Sequence, residues 1–108
     1  MTAVKAMERI KKINEGLRKR FPDGENPFQM VIRLAEESGE LAAQVNHFEG
    51  SGIKQQKHGQ PDRHKLAKEV QDVLRCALRI ATYYGVEAEL EAAINTSYQH
   101  MKTEGWIN

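Results

Sequence analysis

The chain has 108 residues, of which 40% are apolar and 29% charged, with a formal net charge of +1; this is the composition of one folded domain, not of a disordered segment. So even a charge balance argues against a phosphate-backbone surface, and no nucleic acid is expected as the main partner. A lone cysteine, Cys76, excludes an intramolecular disulfide and a CxxC zinc site, and no stretch approaches the ~20 apolar residues of a membrane span, so a cytoplasmic protein with no membrane partner is expected.

Between Ala3 and Leu17 the apolar residues Ala3, Ala6, Met7, Ile10, Ile13 and Leu17 recur at helical spacing among lysines and arginines, which predicts a first amphipathic helix and not a signal peptide. Phe21-Pro22-Asp23-Gly24 reads as a turn. Asn26 followed by Pro27 is an N-cap with proline at the first helical position, and Val31, Leu34, Ala35, Ser38, Leu41, Ala42 and Val45 carry a second helix to about His47. Residues 50–62, rich in Gly and Gln, form a loop. Asp62 is placed to cap a third helix from Arg63 to Tyr84, closed by Gly85, and its apolar positions cover more than half its girth, so it is the central one. Leu90, Ala93, Ile94, Tyr98 and Met101 mark a fourth helix that fades near Gly105 and Trp106. With no strand-like alternation anywhere, the class is all-α: a four- to five-helix bundle.

Two stretches carry the chemistry. In EESGEL, Glu37 and Glu40 stand one turn apart beside the apolar stripe of the second helix, while Glu36 points to water; in KEVQDVL, Glu69 and Asp72 repeat the arrangement on the third. Like charges one turn apart destabilise a helix by a few tenths of a kcal/mol, and more when partly buried. A single ExxE is usually just a solvated face, but two such pairs bordering apolar stripes on consecutive helices invite a divalent cation. An all-carboxylate set without histidine suits Mg²⁺, with Mn²⁺ as a substitute.

The pattern EESGEL, then 28 residues, then EVQD resembles the EExxE…ExxD signature of the all-α nucleoside triphosphate pyrophosphohydrolases, the MazG-like group. The resemblance spans about Asn26 to Tyr84. It implies a single MazG-like helical domain over residues 1–108 that binds Mg²⁺ and cleaves a nucleoside triphosphate between the α and β phosphates, giving the monophosphate and pyrophosphate. Glu37, Glu40, Glu69 and Asp72 would be the catalytic metal ligands. Glu40 is the candidate to accept the attacking water's proton. His47, two turns past Glu40, falls where relatives often place a ring against the nucleobase. Relatives also carry a Lys…Asn…Arg set on the last helix. Matching on the terminal tryptophan puts Ser97, Gln99 and Met101 at those positions, a departure that leaves the phosphate clamp unassigned, with Gln99 and Lys102 as the candidates that helix offers.

Arg33, one turn before Glu37, is positioned to orient that carboxylate or to meet phosphate; Cys76, one turn past Asp72, should line the same cavity. The loop lysines Lys54 and Lys57, with Arg63, Lys65 and Lys68, are further sources of positive charge. The apolar surface of four short helices exceeds what one small core covers, and family members resembling this chain are dimers or dimers of dimers. A homodimer or homotetramer is therefore expected, joined largely through the second and third helices, with the fourth as a further candidate. Two competing readings are a catalytically weak nucleotide-binding relative and a non-enzymatic helical interaction module.

Overall fold

The computed structural model describes residues 1–50 and 59–108. Thr2 turns its hydroxyl back to accept the Lys5 backbone N–H at 3.1 Å, and helix α1 (Ala3–Arg20) begins there. It runs a turn beyond Leu17, and its last turn holds Arg18, Lys19 and Arg20, cations that suit the negative end of the helix dipole. Pro22 then denies Phe21 a helical backbone. The chain makes a 3-10 turn over Pro22–Gly24, in the stretch the sequence marks as a turn.

Asn26 caps helix α2 (Pro27–Phe48), its side-chain oxygen accepting the N–H of Phe28 at 2.9 Å and of Gln29 at 3.4 Å. Asp62 does the same for α3 (Arg63–Tyr84), accepting the N–H of His64 at 2.8 Å. Gly85 ends α3 in the left-handed region at φ 64, donating its N–H to the last turn; a side chain there would be strained. Helix α4 (Glu87–Thr103) follows with Glu87 and Glu89 in its first turn, favourable at a positive helix end. The fold class is all-α, with four α-helices and no strand among the described residues. None of these helices is long and apolar enough to cross a membrane.

Helix α3 is the hub, as its broad apolar girth requires. The α2–α3 pairing is the most extensive in the molecule, and α1 and α4 each pack on α3 as well. The core is small. Among the described residues Met30, Cys76 and Ala81 are the buried apolar ones, with Met30 only 1% exposed. Asn14 is buried with them and donates its side-chain N–H to the Arg75 carbonyl at 3.0 Å, tying α1 to the middle of α3. Glu87 anchors the start of α4, meeting Lys11 at 3.3 Å and accepting from the Thr82 hydroxyl at 3.4 Å. Beyond that turn the apolar face expected of α4 is present but uncovered: Leu90, Ile94, Tyr98 and Met101 are all exposed.

Because Met30 is the largest fully enclosed side chain, Met30→Ala should cost about 2–5 kcal/mol of stability in urea unfolding, as large-to-small changes at closed sites do. A loss under about 1 kcal/mol would show that α2 and α3 do not close around it.

Candidate metal centre

The α2–α3 seam brings together three of the four carboxylates singled out in the sequence. One oxygen from each of Glu37, Glu40 and Glu69 lies within 4.8 Å of the others. Glu37 and Glu40 share a face because they sit one turn apart on α2, and Glu69 reaches them from α3. Glu40 is exposed, whereas Glu37 and Glu69 are half-buried and each keeps one oxygen, Oε2, out of water with no hydrogen-bond partner. A buried polar atom without a partner is uncommon, and a carboxylate oxygen pays the most for it. Gln44, one turn past Glu40, adds a third buried oxygen, Oε1, in the same condition.

Asp72, the fourth expected ligand, is buried on the same seam but is held differently. Lys68 Nζ donates to its Oδ1 at 2.7 Å, and Arg75 Nε stands 3.7 Å from that oxygen. Its charge still reaches the others. Burial pushes the Glu37 carboxyl above its ordinary value of 4.5, the Glu40 and Asp72 charges push it further, and the Arg75 guanidinium opposes them. These hard, anionic oxygens fit Mg²⁺ or Mn²⁺ by donor chemistry, and the partnerless oxygens fit a cation better than they fit a closed hydrogen-bond network.

The other candidate residues fall in three places. His47 is buried at the end of α2, donating its Nε2–H to the Gly59 carbonyl at 2.7 Å. Its ring edge is therefore engaged by the chain. Cys76 is buried, and desolvation raises its thiol pKa, Arg75 opposing and the Glu37 and Asp72 charges reinforcing the shift; such a thiol is unreactive. Arg33 makes no ion pair with Glu37 among the described residues; it lines a cavity with Arg75, Cys76 and Arg79. Lys54 and Lys57 lie outside the described residues. Gln99 is exposed, Lys102 rests over the Tyr98 ring at 5.8 Å, and neither bonds to the carboxylates among the described residues.

Arg75, Arg79 and Gln44 are site residues that the sequence reading passes over. Arg79 lies about 20° from Asp72 around α3, and Gln44 about 20° from Glu37 around α2. Polar residues recurring on a buried face were the available signal. Compared with models of known protein families, with curated proteins and with solved structures, the chain matches none.

A raised carboxyl pKa fixes the sign of a pH effect. Glu37 binds its proton more tightly folded than unfolded, so its contribution is neutral below pH 4.5 and becomes destabilising as pH rises through the folded value. In EDTA the midpoint temperature should fall across that window, less so in Glu37→Gln, and millimolar Mg²⁺ should restore it near neutral pH. A midpoint indifferent to Mg²⁺ would remove the metal centre.

Proposed function

We propose that the chain is a Mg²⁺-dependent nucleotide pyrophosphohydrolase of the MazG-like type. The observation that carries this reading is the meeting of Glu37, Glu40 and Glu69 oxygens within 4.8 Å, two of these residues holding a buried oxygen without a partner. The likeness of EESGEL and EVQD to the family signature supports the same conclusion. Bound Mg²⁺ would supply Lewis-acid stabilisation of phosphoryl charge and a more acidic water.

The chain's own residues do the rest. Glu37 and Glu69 would hold the cation, since α2 and α3 bring their oxygens together from the two sides of the seam. Glu40, exposed at the rim, is free to take a proton from the attacking water. Asp72 adds negative charge, while Lys68 holds its carboxylate in place with Arg75 standing 3.7 Å away. A nucleotide substrate is consistent with a cytoplasmic setting.

The reading is tested by incubating the protein with canonical and modified nucleoside triphosphates and Mg²⁺ and measuring pyrophosphate. At least one should be cleaved, and Glu37→Gln and Glu69→Gln should each lower the rate by about 10²-fold or more with helicity nearly unchanged. Unaltered rates in these variants would place the chemistry elsewhere; release from none of the nucleotides would leave the binding or scaffold readings.

The same reading includes self-association. The chain exposes 8412 Å², whereas a monomer of its mass normally exposes about 6,100 Å². The radius of gyration is 16.9 Å, against about 13 Å for a chain of this length. The excess, about 2,300 Å², is of the order that an obligate dimer covers. Phe28, Val31 and Ile32 on α2, Val70 and Leu74 on α3, and Ile94 and Tyr98 on α4 are among the exposed apolar residues that would be covered. Light scattering should give a dimer or tetramer mass; 12.3 kDa at micromolar concentration would rule out assembly as the remedy for these faces.

A further inference from the structure

A cavity of 270 Å³ adjoins the carboxylate seam through Met30 and Cys76, and three guanidinium side chains line it: Arg33 from α2, and Arg75 and Arg79 from α3. A guanidinium offers five N–H donors, and these three leave most of theirs unused. Arg79, whose side chain is only 16% exposed, meets one carboxylate, Glu25, at a long 3.5 Å, and its Nε is buried without a partner. Arg75 Nε stands 3.7 Å from Asp72, beyond hydrogen-bonding reach. Arg33 forms no ion pair among the described residues. The lining contains a single carboxylate, Asp23, against the three cations.

Arg79 is also held in place. A Cβ on Gly24 would come within 3.2 Å of Arg79 Nη2, so the guanidinium lies close over the turn, where only a glycine leaves it room. Side-chain entropy is thus already spent on Arg79 before any ligand arrives. At 270 Å³ the cavity falls just below the usual ~300–1,000 Å³ of whole-ligand pockets, which suits one charged part of a ligand. Its donor excess selects a group made of acceptors alone. Nucleobases carry N–H donors on their edges, whereas phosphates offer only oxygens, and arginine matches them two bonds at a time.

We propose that this cavity is an oxyanion cradle in which Arg33, Arg75 and Arg79 hold the terminal phosphates of the substrate, filling the role that the last helix leaves open. The ligand's identity rests on the hydrolase reading. In that reaction the water oxygen bonds to the α phosphorus as the bond to the α–β bridging oxygen breaks. The electron pair leaves with pyrophosphate and the water's proton goes to a carboxylate. The cradle binds the group on which negative charge develops.

Calorimetric titration of inorganic tripolyphosphate into the protein at fixed Mg²⁺ tests the cradle without any turnover. Arg33→Gln, at an exposed position, and Arg79→Gln should each weaken binding roughly tenfold. Glu25→Gln, which frees Arg79, should tighten it. Mg²⁺ affinity of the protein alone should be unchanged or raised in the arginine variants, since removing a nearby positive charge does not repel a cation. Unaltered tripolyphosphate affinity in both arginine variants overturns the proposal, as does weakening that comes only with loss of Mg²⁺ binding. Weakening in a protein that releases pyrophosphate from no nucleotide upholds the cradle and removes the hydrolase.

Discussion

Helices α2 and α3 meet along a seam that has to accommodate carboxylates. Glu37 and Glu69 each hold an oxygen there that neither water nor a donor reaches, and burial of a polar atom without a partner is unfavourable. The arrangement survives because Met30 and Cys76 close the seam alongside, and because Lys68 and Arg75 stand against the neighbouring Asp72. Elsewhere in the fold, elements take positions set by this pairing: α1 docks on α3 through Asn14, and α4 attaches to the end of α3 through Glu87.

The cations are distributed along one line of α3. Lys68 and Arg75 face Asp72, and Arg79 continues the same face one turn further. That order matters physically. A divalent cation between the carboxylates would, with Lys68 and Arg75, bring the seam near neutrality, and the guanidiniums of Arg33 and Arg79 lie immediately beside it. A polyphosphate presented to this surface meets positive potential on both sides, from the ion and from the guanidiniums, in a partly dry site where such interactions are strengthened.

Helix boundaries were legible in the sequence to within a few residues because local chemistry sets them: Asn26 with Pro27, Asp62 and Gly85 each act on their own neighbours, whatever the tertiary structure. The carboxylate pairs were legible because residues three apart must share a face. What lay hidden depended on other helices. The burial of Asn14 follows from the approach of α1 to the Arg75 carbonyl, the pairing of Asp72 with Lys68 and Arg75 depends on how deep that face sits, and Arg79 interrupts the apolar pattern of α3 because Glu25 and the Gly24 backbone come to meet it. The apolar stripe of α4 was equally visible in the sequence, but periodicity reports only that a face is apolar, not what covers it.

Those two features, a strained seam and uncovered apolar faces, bear on one another. With so few buried apolar side chains among the described residues, these helices gain little from their own core, and marginal stability is the general condition of small domains. A seam that also holds carboxylates each with a partnerless oxygen draws on that small reserve. Anything that binds only the folded form adds RT ln(1 + [L]/Kd) to its stability, whether it is a cation between Glu37, Glu40 and Glu69 or a second copy covering α2, α3 and α4. Each lowers the concentration of the other needed to keep the chain folded. Metal binding and self-association would therefore be coupled through folding even if no residue touches both, and the carboxylates that weaken the isolated fold would be what make it responsive to a cation.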